Sequence, residues 1–124
     1  MALWRVSKFR RSSGVCPVDD YLGSAQVSAQ DRRRVDTRVR MIQSVEQIPG
    51  EWVVDYKTTN LQRLKPNCQH RFLCIRLEDE KHVILLCGTL KQKKNLPADK
   101  INEAETMLSE CEQGEGDVED YKFD

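Results

Sequence analysis

Residues 69–97, QHRFLCIRLEDEKHVILLCGTLKQKKNLP, decide the fold of this chain. The stretch holds two apolar runs, at 71–77 and 82–90, which are separated by the acidic link 78–80. Because apolar side chains fall on both faces of each extended run, the pattern predicts two strands in the middle of a sheet that is covered on each side. The second run leads directly into the basic segment 91–94. The sequence therefore predicts a hairpin that feeds a cationic loop.

Two arginines interrupt the first apolar run. Strand alternation places Arg71 on the face of Leu73 and Ile75, and it places Arg76 on the opposite face with Phe72. We expect one of these arginines to lie at a strand end, where it reaches solvent or a ligand.

The remaining elements follow from apolar spacing and from helix start and stop signals. The predicted elements are a strand at 3–9, a short helix starting at Pro17, a longer helix at 28–48 ended by Pro49 and Gly50, a strand at 61–65 and a last helix at 97–111. Residues 52–54 fit either a short strand or a packed connector. We therefore expect an α+β fold in which two N-terminal helices and one C-terminal helix pack on a small, mainly antiparallel sheet, in the order β-α-α-β-β-β-α.

Length and composition indicate one domain. The chain has 124 residues, of which 39% are hydrophobic, and no apolar run approaches the length of a membrane span. Its start shows no signal-peptide pattern, and its five cysteines form no C-x-x-C pair, so we expect a cytoplasmic protein with reduced thiols. Both histidines, His70 and His82, flank strands instead of sharing a helix face with other ligands. No metal or cofactor site is expected.

The formal net charge of zero conceals a division between a basic body and an acidic end. Residues 1–101 contain 19 Lys and Arg against 11 Asp and Glu, whereas residues 102–124 contain 1 against 9. A basic body favours polyanions, although basic residues also simply solvate helix faces. Residues 112–124 lack apolar periodicity and predict a flexible acidic tail beyond a domain at 1–111. Such a tail either folds back to screen the basic body or only aids solubility.

Five short motifs, taken in order, resemble those of the RelE/ParE toxin superfamily, and in particular its HigB-like, phage-derived host-inhibition subgroup. They are SSGVCPVDDYL at 12–22, LQRLK at 61–65, HRFL at 70–73, VILLCGTLKQ at 83–92 and PADKINEA at 97–104. Together they span most of residues 3–108. The resemblance implies a RelE-like fold and a type II toxin-antitoxin system, in which the toxin is a ribosome-dependent endoribonuclease that cleaves messenger RNA and inhibits translation. It also implies a helix-turn-helix antitoxin as partner.

The resemblance also assigns roles to residues of this chain. Cleavage in the family is metal-free transphosphorylation, in which the ribose 2′-OH attacks the neighbouring phosphate, so the site must orient that hydroxyl and stabilise phosphoryl charge. The expected catalytic residues are Lys65, Arg71, Lys91 and His70, and the expected RNA-binding residues are Arg63, Arg76, Lys93 and Lys94. His70 is the candidate for proton transfer, because a histidine titrates near neutral pH.

The motifs depart from the family pattern at several positions. Arg63 stands for a glutamate, Lys65 for an arginine, His70 for a tyrosine, Cys87 for a histidine, Thr89 for a phenylalanine and Gln92 for a lysine. These exchanges remove two groups that can move protons and one bidentate phosphate donor. The alternative to an enzyme is therefore a non-catalytic or ParE-like interaction protein that binds a protein target. The oligomeric state stays open.

Overall fold

The hairpin at 70–90 forms the centre of a mixed sheet. The computed structural model describes residues 2–56, 59–91 and 96–124. Its strands are β1 (Arg5–Arg10), β2 (Val53–Asp55), β3 (Gln62–Leu64), β4 (His70–Leu77), β5 (His82–Leu90) and β6 (Asp117–Asp120), and its helices are α1 (Pro17–Leu22), α2 (Ala29–Ile42) and α3 (Ala98–Glu112). In the described part of the chain the strand order is β2-β3-β4-β5-β1-β6, and only the β1–β5 pairing is parallel. The fold is therefore α+β, as predicted, but the sheet is larger than predicted.

The sheet is covered on both faces, which explains why its central strands are apolar throughout. Helices α1 and α2 pack on one face, through residues such as Val18 and Val39. Helix α3 packs on the other face, through residues such as Met107. We refer to these as the α1/α2 face and the α3 face. No helix among the described residues is both long and apolar enough to cross a bilayer.

A β-bulge in β5 reverses which residues face each layer. Leu73 pairs with Cys87 and Cys74 pairs with Leu85, so Leu86 is an extra residue in β5. After the bulge, Gly88 faces the α1/α2 layer and the next residue faces α3. A Cβ at Gly88 would lie only 2.8 Å from Cγ of the Tyr21 ring. Glycine at this position therefore lets α1 approach the sheet closely.

Helix α2 is shorter than the sequence pattern predicts. The Oγ of Ser28 accepts a hydrogen bond from the N–H of Asp31 (3.1 Å) and caps the start of the helix as expected. The helix ends at Ile42 and not at residue 48. Beyond it, the carbonyl of Val45 accepts from the N–H of Trp4 (3.3 Å), and the irregular chain still buries Ile48 in the core. Tertiary packing thus replaces the last predicted turns.

The predicted flexible tail was wrong for residues 117–124. Strand β6 pairs antiparallel with β1, and Tyr121 is buried in the core between the sheet and α2. The segment packs against the body of the protein, where it contacts Arg10 of β1 and Arg32 and Arg40 of α2. The screening hypothesis placed these contacts on the basic face that was expected to bind RNA.

A buried histidine on β5 predicts that acid destabilises the fold. A guanidinium can only donate, so Arg5 donates a hydrogen bond to Nδ1 of His82 (3.3 Å). The proton of the neutral ring is therefore on Nε2, which donates to Ser7 Oγ (2.7 Å). In this tautomer His82 cannot accept a proton from the Ser7 hydroxyl. Burial lowers the pKa of His82, the charge of Arg5 lowers it further, and Glu80 and Asp120 oppose these effects.

The unfolded chain therefore binds a proton at His82 at a higher pH than the folded chain does. The stability that the neutral ring contributes is complete above the ordinary histidine pKa of about 6.5 and is lost as pH falls below it. Urea titrations at pH 7.5 and 5.5 should show a lower unfolding free energy at the acidic pH. The loss should be smaller in His82→Gln. An equal loss in both proteins would contradict the assignment.

Candidate nucleic-acid interface

Four cationic residues lie on the α3 face at one end of the sheet, where β3 and β5 end and β4 begins. Arg71 pairs with Thr89 across β4 and β5. The main-chain N–H of Lys91 donates to the carbonyl of Gln69 (2.6 Å), which continues that pairing. Alternation along the three neighbouring strands then directs the whole group to one face. We call this group, Arg63, Lys65, Arg71 and Lys91, the cationic cluster.

Arg71 is the buried member of the cluster, with 7% of its surface exposed. Its Nη1 donates to the carbonyls of Cys68 (2.7 Å) and His70 (2.8 Å). Among the described residues it pairs with no carboxylate, and the residues outside that description include no Asp or Glu in the sequence. Burial lowers the pKa of Arg71, and the nearby charge of Arg63 lowers it further. A guanidinium stays protonated nonetheless, so this buried charge favours an anion.

Arg63 is half-buried and lies on the same face, opposite Leu73. Its guanidinium carbon lies 5.6 Å from the centre of the Tyr56 ring, in cation–π range. The Nε atom is buried and finds no hydrogen-bond partner in the part of the chain that the structure describes. Its positive charge lies near enough to Arg71 to lower the pKa of that guanidinium. Repulsion between these two charges lowers the unfolding free energy of the protein, and a bound anion would offset it.

Replacing Arg63 by methionine should separate binding from stability. The substitution keeps an unbranched side chain against Tyr56 and removes the charge that repels Arg71. We expect the unfolding free energy to stay the same or to rise, and affinity for single-stranded RNA to fall severalfold, as at sites where function is kept at a cost in stability. Urea unfolding and RNA titration of the same samples measure both quantities. If both quantities fall together, Arg63 is a structural residue.

The two lysines of the cluster are less enclosed. Lys65 is half-buried directly after β3, and Lys91 is exposed directly after β5. They follow the two strands, β3 and β5, that lie on either side of the strand of Arg71. The predicted RNA-binding residues Lys93 and Lys94 lie outside the described residues.

The structure separates His70 and Arg76 from the cluster. His70 is 1% exposed on the α1/α2 face, so its ring cannot contact a phosphate held by Arg71. Its Nδ1 is hydrogen-bonded to the hydroxyl of Tyr21 (2.6 Å) and its Nε2 to a carboxylate oxygen of Asp31 (3.1 Å). Arg76 lies near the other end of β4, pairs with Glu78 (2.6 Å), and its guanidinium lies 5.2 Å from the Trp4 ring centre. The structure therefore places neither His70 nor Arg76, which were assigned to the site from the sequence, beside Arg71.

The described residues contain no group of three or more His, Cys, Asp or Glu side chains that could hold a metal ion. All five cysteines are free thiols. Burial raises the pKa of Cys74 and of Cys87 to about 12, so neither is a thiolate at neutral pH.

Two features of the structure were not predicted, although the sequence contains a local pattern for each. Alternation from Arg71 already puts its neighbour His70 on the other face of the sheet. The C-terminal segment carries Glu119, Tyr121 and Phe123 at a spacing of two residues, which is typical of a strand with one packed face. Its high acidic content concealed this short pattern. The partners of His70, by contrast, come from separate helices and have no local signal.

No protein-family model matches this chain, and a comparison with curated proteins finds no significant match.

Proposed function

We propose that the chain is an RNA-binding, toxin-like domain of RelE/ParE type, close to the HigB-like subgroup, whose cationic cluster holds an RNA phosphodiester. The observation that carries this proposal is Arg71, a buried guanidinium that has backbone carbonyls but no described carboxylate as partners and that lies beside the second arginine, Arg63. Guanidinium groups suit phosphate because they offer paired donors in a fixed plane. The motif resemblance gives the anion its class, which is RNA.

The order of elements supports the same proposal. When the two edge strands β2 and β6 are set aside, the remaining order is strand, helix, helix, three strands, helix. That is the order the resemblance implies for the family. We propose that β2 and β6 are additions at the two edges of a RelE-like core.

We also propose that the domain cleaves messenger RNA on the ribosome. The cluster supplies what phosphoryl transfer most needs from a protein, fixed positive charge at the oxygens where negative charge develops. A proton acceptor for the 2′-OH is not among the cluster side chains. The ribosomal RNA or the substrate itself would have to supply this acceptor. It would also have to supply a proton to the 5′-oxygen of the next nucleotide, which leaves as the 2′-oxygen forms its bond to phosphorus, and this need would explain a dependence on the ribosome. A helix-turn-helix antitoxin would be the partner that neutralises the domain in the cytoplasm.

Controlled expression in a bacterial host tests the proposal. If it is right, induction stops protein synthesis, and primer extension shows new 5′ ends within translated messages. The variant Arg71→Gln should abolish both effects at equal protein level. Growth and transcripts that stay normal on induction of the unmodified chain would refute the nuclease proposal.

A second function is favoured by one specific observation. Because His70 lies on the opposite face, the cluster lacks the proton-transfer residue that the sequence predicted. A module that binds RNA or a protein target without cutting needs no such residue. In that case purified chain should bind single-stranded RNA with strong salt dependence, whereas induction leaves transcripts intact. DNA damage on induction would instead indicate a ParE-like protein target.

A further inference from the structure

Three consecutive carbonyls at the start of β4 organise two members of the cationic cluster. The carbonyls of Cys68 and His70 accept from Nη1 of Arg71, at 2.7 and 2.8 Å. The carbonyl between them, that of Gln69, accepts from the main-chain N–H of Lys91 at 2.6 Å. Among the described residues Nη1 is the only atom of the Arg71 guanidinium that donates a hydrogen bond. The position of this short backbone segment therefore sets the direction in which Nη2 and Nε of Arg71 point.

The side chain of His70 holds that segment from the opposite face of the sheet. A carboxylate only accepts, so Nε2–H of His70 donates to Asp31 (3.1 Å), and in the neutral ring Nδ1 accepts from the hydroxyl of Tyr21 (2.6 Å). Tyr21 belongs to α1 and Asp31 to the first turn of α2. Both ring nitrogens are thus fixed by separate helices. Burial raises the pKa of Tyr21 to about 12, so its hydroxyl stays a donor at neutral pH.

We propose that Tyr21, Asp31 and His70 are positioning residues for Arg71, so that the two N-terminal helices fix the guanidinium for phosphate binding on the far face of the sheet. This inference rests on the proposed function. Paired contacts between a guanidinium and a phosphate depend on the orientation of the guanidinium. If residues 68–70 can shift, Arg71 loses that orientation although it keeps its charge.

The chain offers a matched control for the tyrosine. Tyr121 also donates its hydroxyl to a partner at 2.6 Å, the carboxylate of Asp36, and it is buried. It lies next to α2, and its described hydrogen bonds include none to residues 68–71. Tyr21→Phe and Tyr121→Phe therefore each remove one hydroxyl from a hydrogen bond of the same length. Only the first should affect Arg71.

The first experiment titrates both variants with a fluorescent single-stranded RNA. We expect Tyr21→Phe to weaken RNA binding roughly threefold to tenfold, which is the size of the net contribution of one hydrogen bond. Tyr121→Phe should leave the affinity within about twofold of the unmodified chain. Equal losses in both variants would overturn the proposal, because they would reflect general destabilisation.

A double-mutant cycle with Arg71→Gln then asks whether Tyr21 acts through Arg71. The effect of Tyr21→Phe on RNA affinity should disappear in the Arg71→Gln background, because that variant has no guanidinium for Tyr21 to orient. Additive losses overturn the proposal.

The Arg71 Nε–H signal in ¹⁵N NMR reports on the free protein and needs no RNA. It should shift or broaden in Tyr21→Phe and stay unchanged in Tyr121→Phe. An unchanged signal in Tyr21→Phe overturns the inference. If the unmodified chain binds no RNA, the proposed function fails by itself, and this signal still decides whether Tyr21 positions Arg71.

Discussion

Replacing Arg71 by glutamine should weaken the binding of single-stranded RNA roughly tenfold or more, which corresponds to about 1.4 kcal/mol or more. The glutamine keeps an amide that can donate to the carbonyls of Cys68 and His70, but it removes the charge and the remaining donors. Hydrogen bonds to charged groups contribute about 1.5–3 kcal/mol, and each phosphate contact also releases a counterion. The measurement is a series of RNA titrations between 50 and 200 mM salt.

The salt dependence separates a phosphate contact from a general loss of charge. Loss of one contact to single-stranded RNA should reduce the slope of log affinity against log salt by about 0.7. Arg33 is a suitable control because it is exposed on α2 and its replacement by glutamine changes the net charge equally. Arg33→Gln should leave affinity within about twofold. Similar losses in the two variants would mean that the protein binds RNA only through its overall charge.

Replacing Tyr121 by alanine should lower the unfolding free energy by about 3–5 kcal/mol, the usual cost of deleting a buried aromatic side chain. Tyr121 is 5% exposed, and its hydroxyl donates to Asp36, which is itself buried. Burial and that hydrogen bond raise the pKa of Tyr121, so it remains a donor at any neutral or mildly basic pH. The variant leaves a cavity beside α2 and removes one of the hydrogen bonds that Asp36 accepts. Thermal unfolding should shift downward by roughly 10 °C or more.

Two controls distinguish packing from strand pairing. Val118 lies on the same strand with 45% of its surface exposed, so Val118→Ala should change stability by no more than about 0.5 kcal/mol. Tyr121→Phe removes only the hydroxyl and should cost about 1 kcal/mol, because Asp36 keeps its hydrogen bonds from Arg32 and from the N–H of Asp124. If Tyr121→Ala unfolds like the unmodified chain, residues 117–124 behave in solution as the flexible tail that composition alone predicts.

The acidic end has a different relation to the basic body than the screening hypothesis assumed. Glu119 accepts from Arg10 through two hydrogen bonds, and the carbonyl of Lys122 accepts from Arg32 (2.6 Å). These contacts lie at the β1–β6 edge and along α2, whereas the cationic cluster lies on β3, β4 and β5. The described contacts of the tail therefore neutralise arginines of β1 and α2 and none of the cationic cluster.

The sequence by itself determined the elements with strong periodicity. Both central strands, His70–Leu77 and His82–Leu90, were predicted at almost their observed bounds, because two apolar faces require a covered sheet. The separation of Arg71 from Arg76 onto opposite faces also follows from alternation alone. Weak elements were less predictable, and the end of α2 was misplaced because Val45 and Ile48 pack in or against the core without being helical.

Only the tertiary structure decided which side chains meet. The bulge at Leu86 shifts the later part of β5 by one residue, so that Thr89 faces Arg71 and Gly88 faces Tyr21. The sequence contains every one of these residues, but alternation counted from the start of β5 places them on the wrong faces. Local patterns fix how a strand alternates, whereas a bulge and the docking of separate helices depend on packing between distant segments. That packing buries the guanidinium of Arg71 against backbone carbonyls and fixes both ring nitrogens of His70.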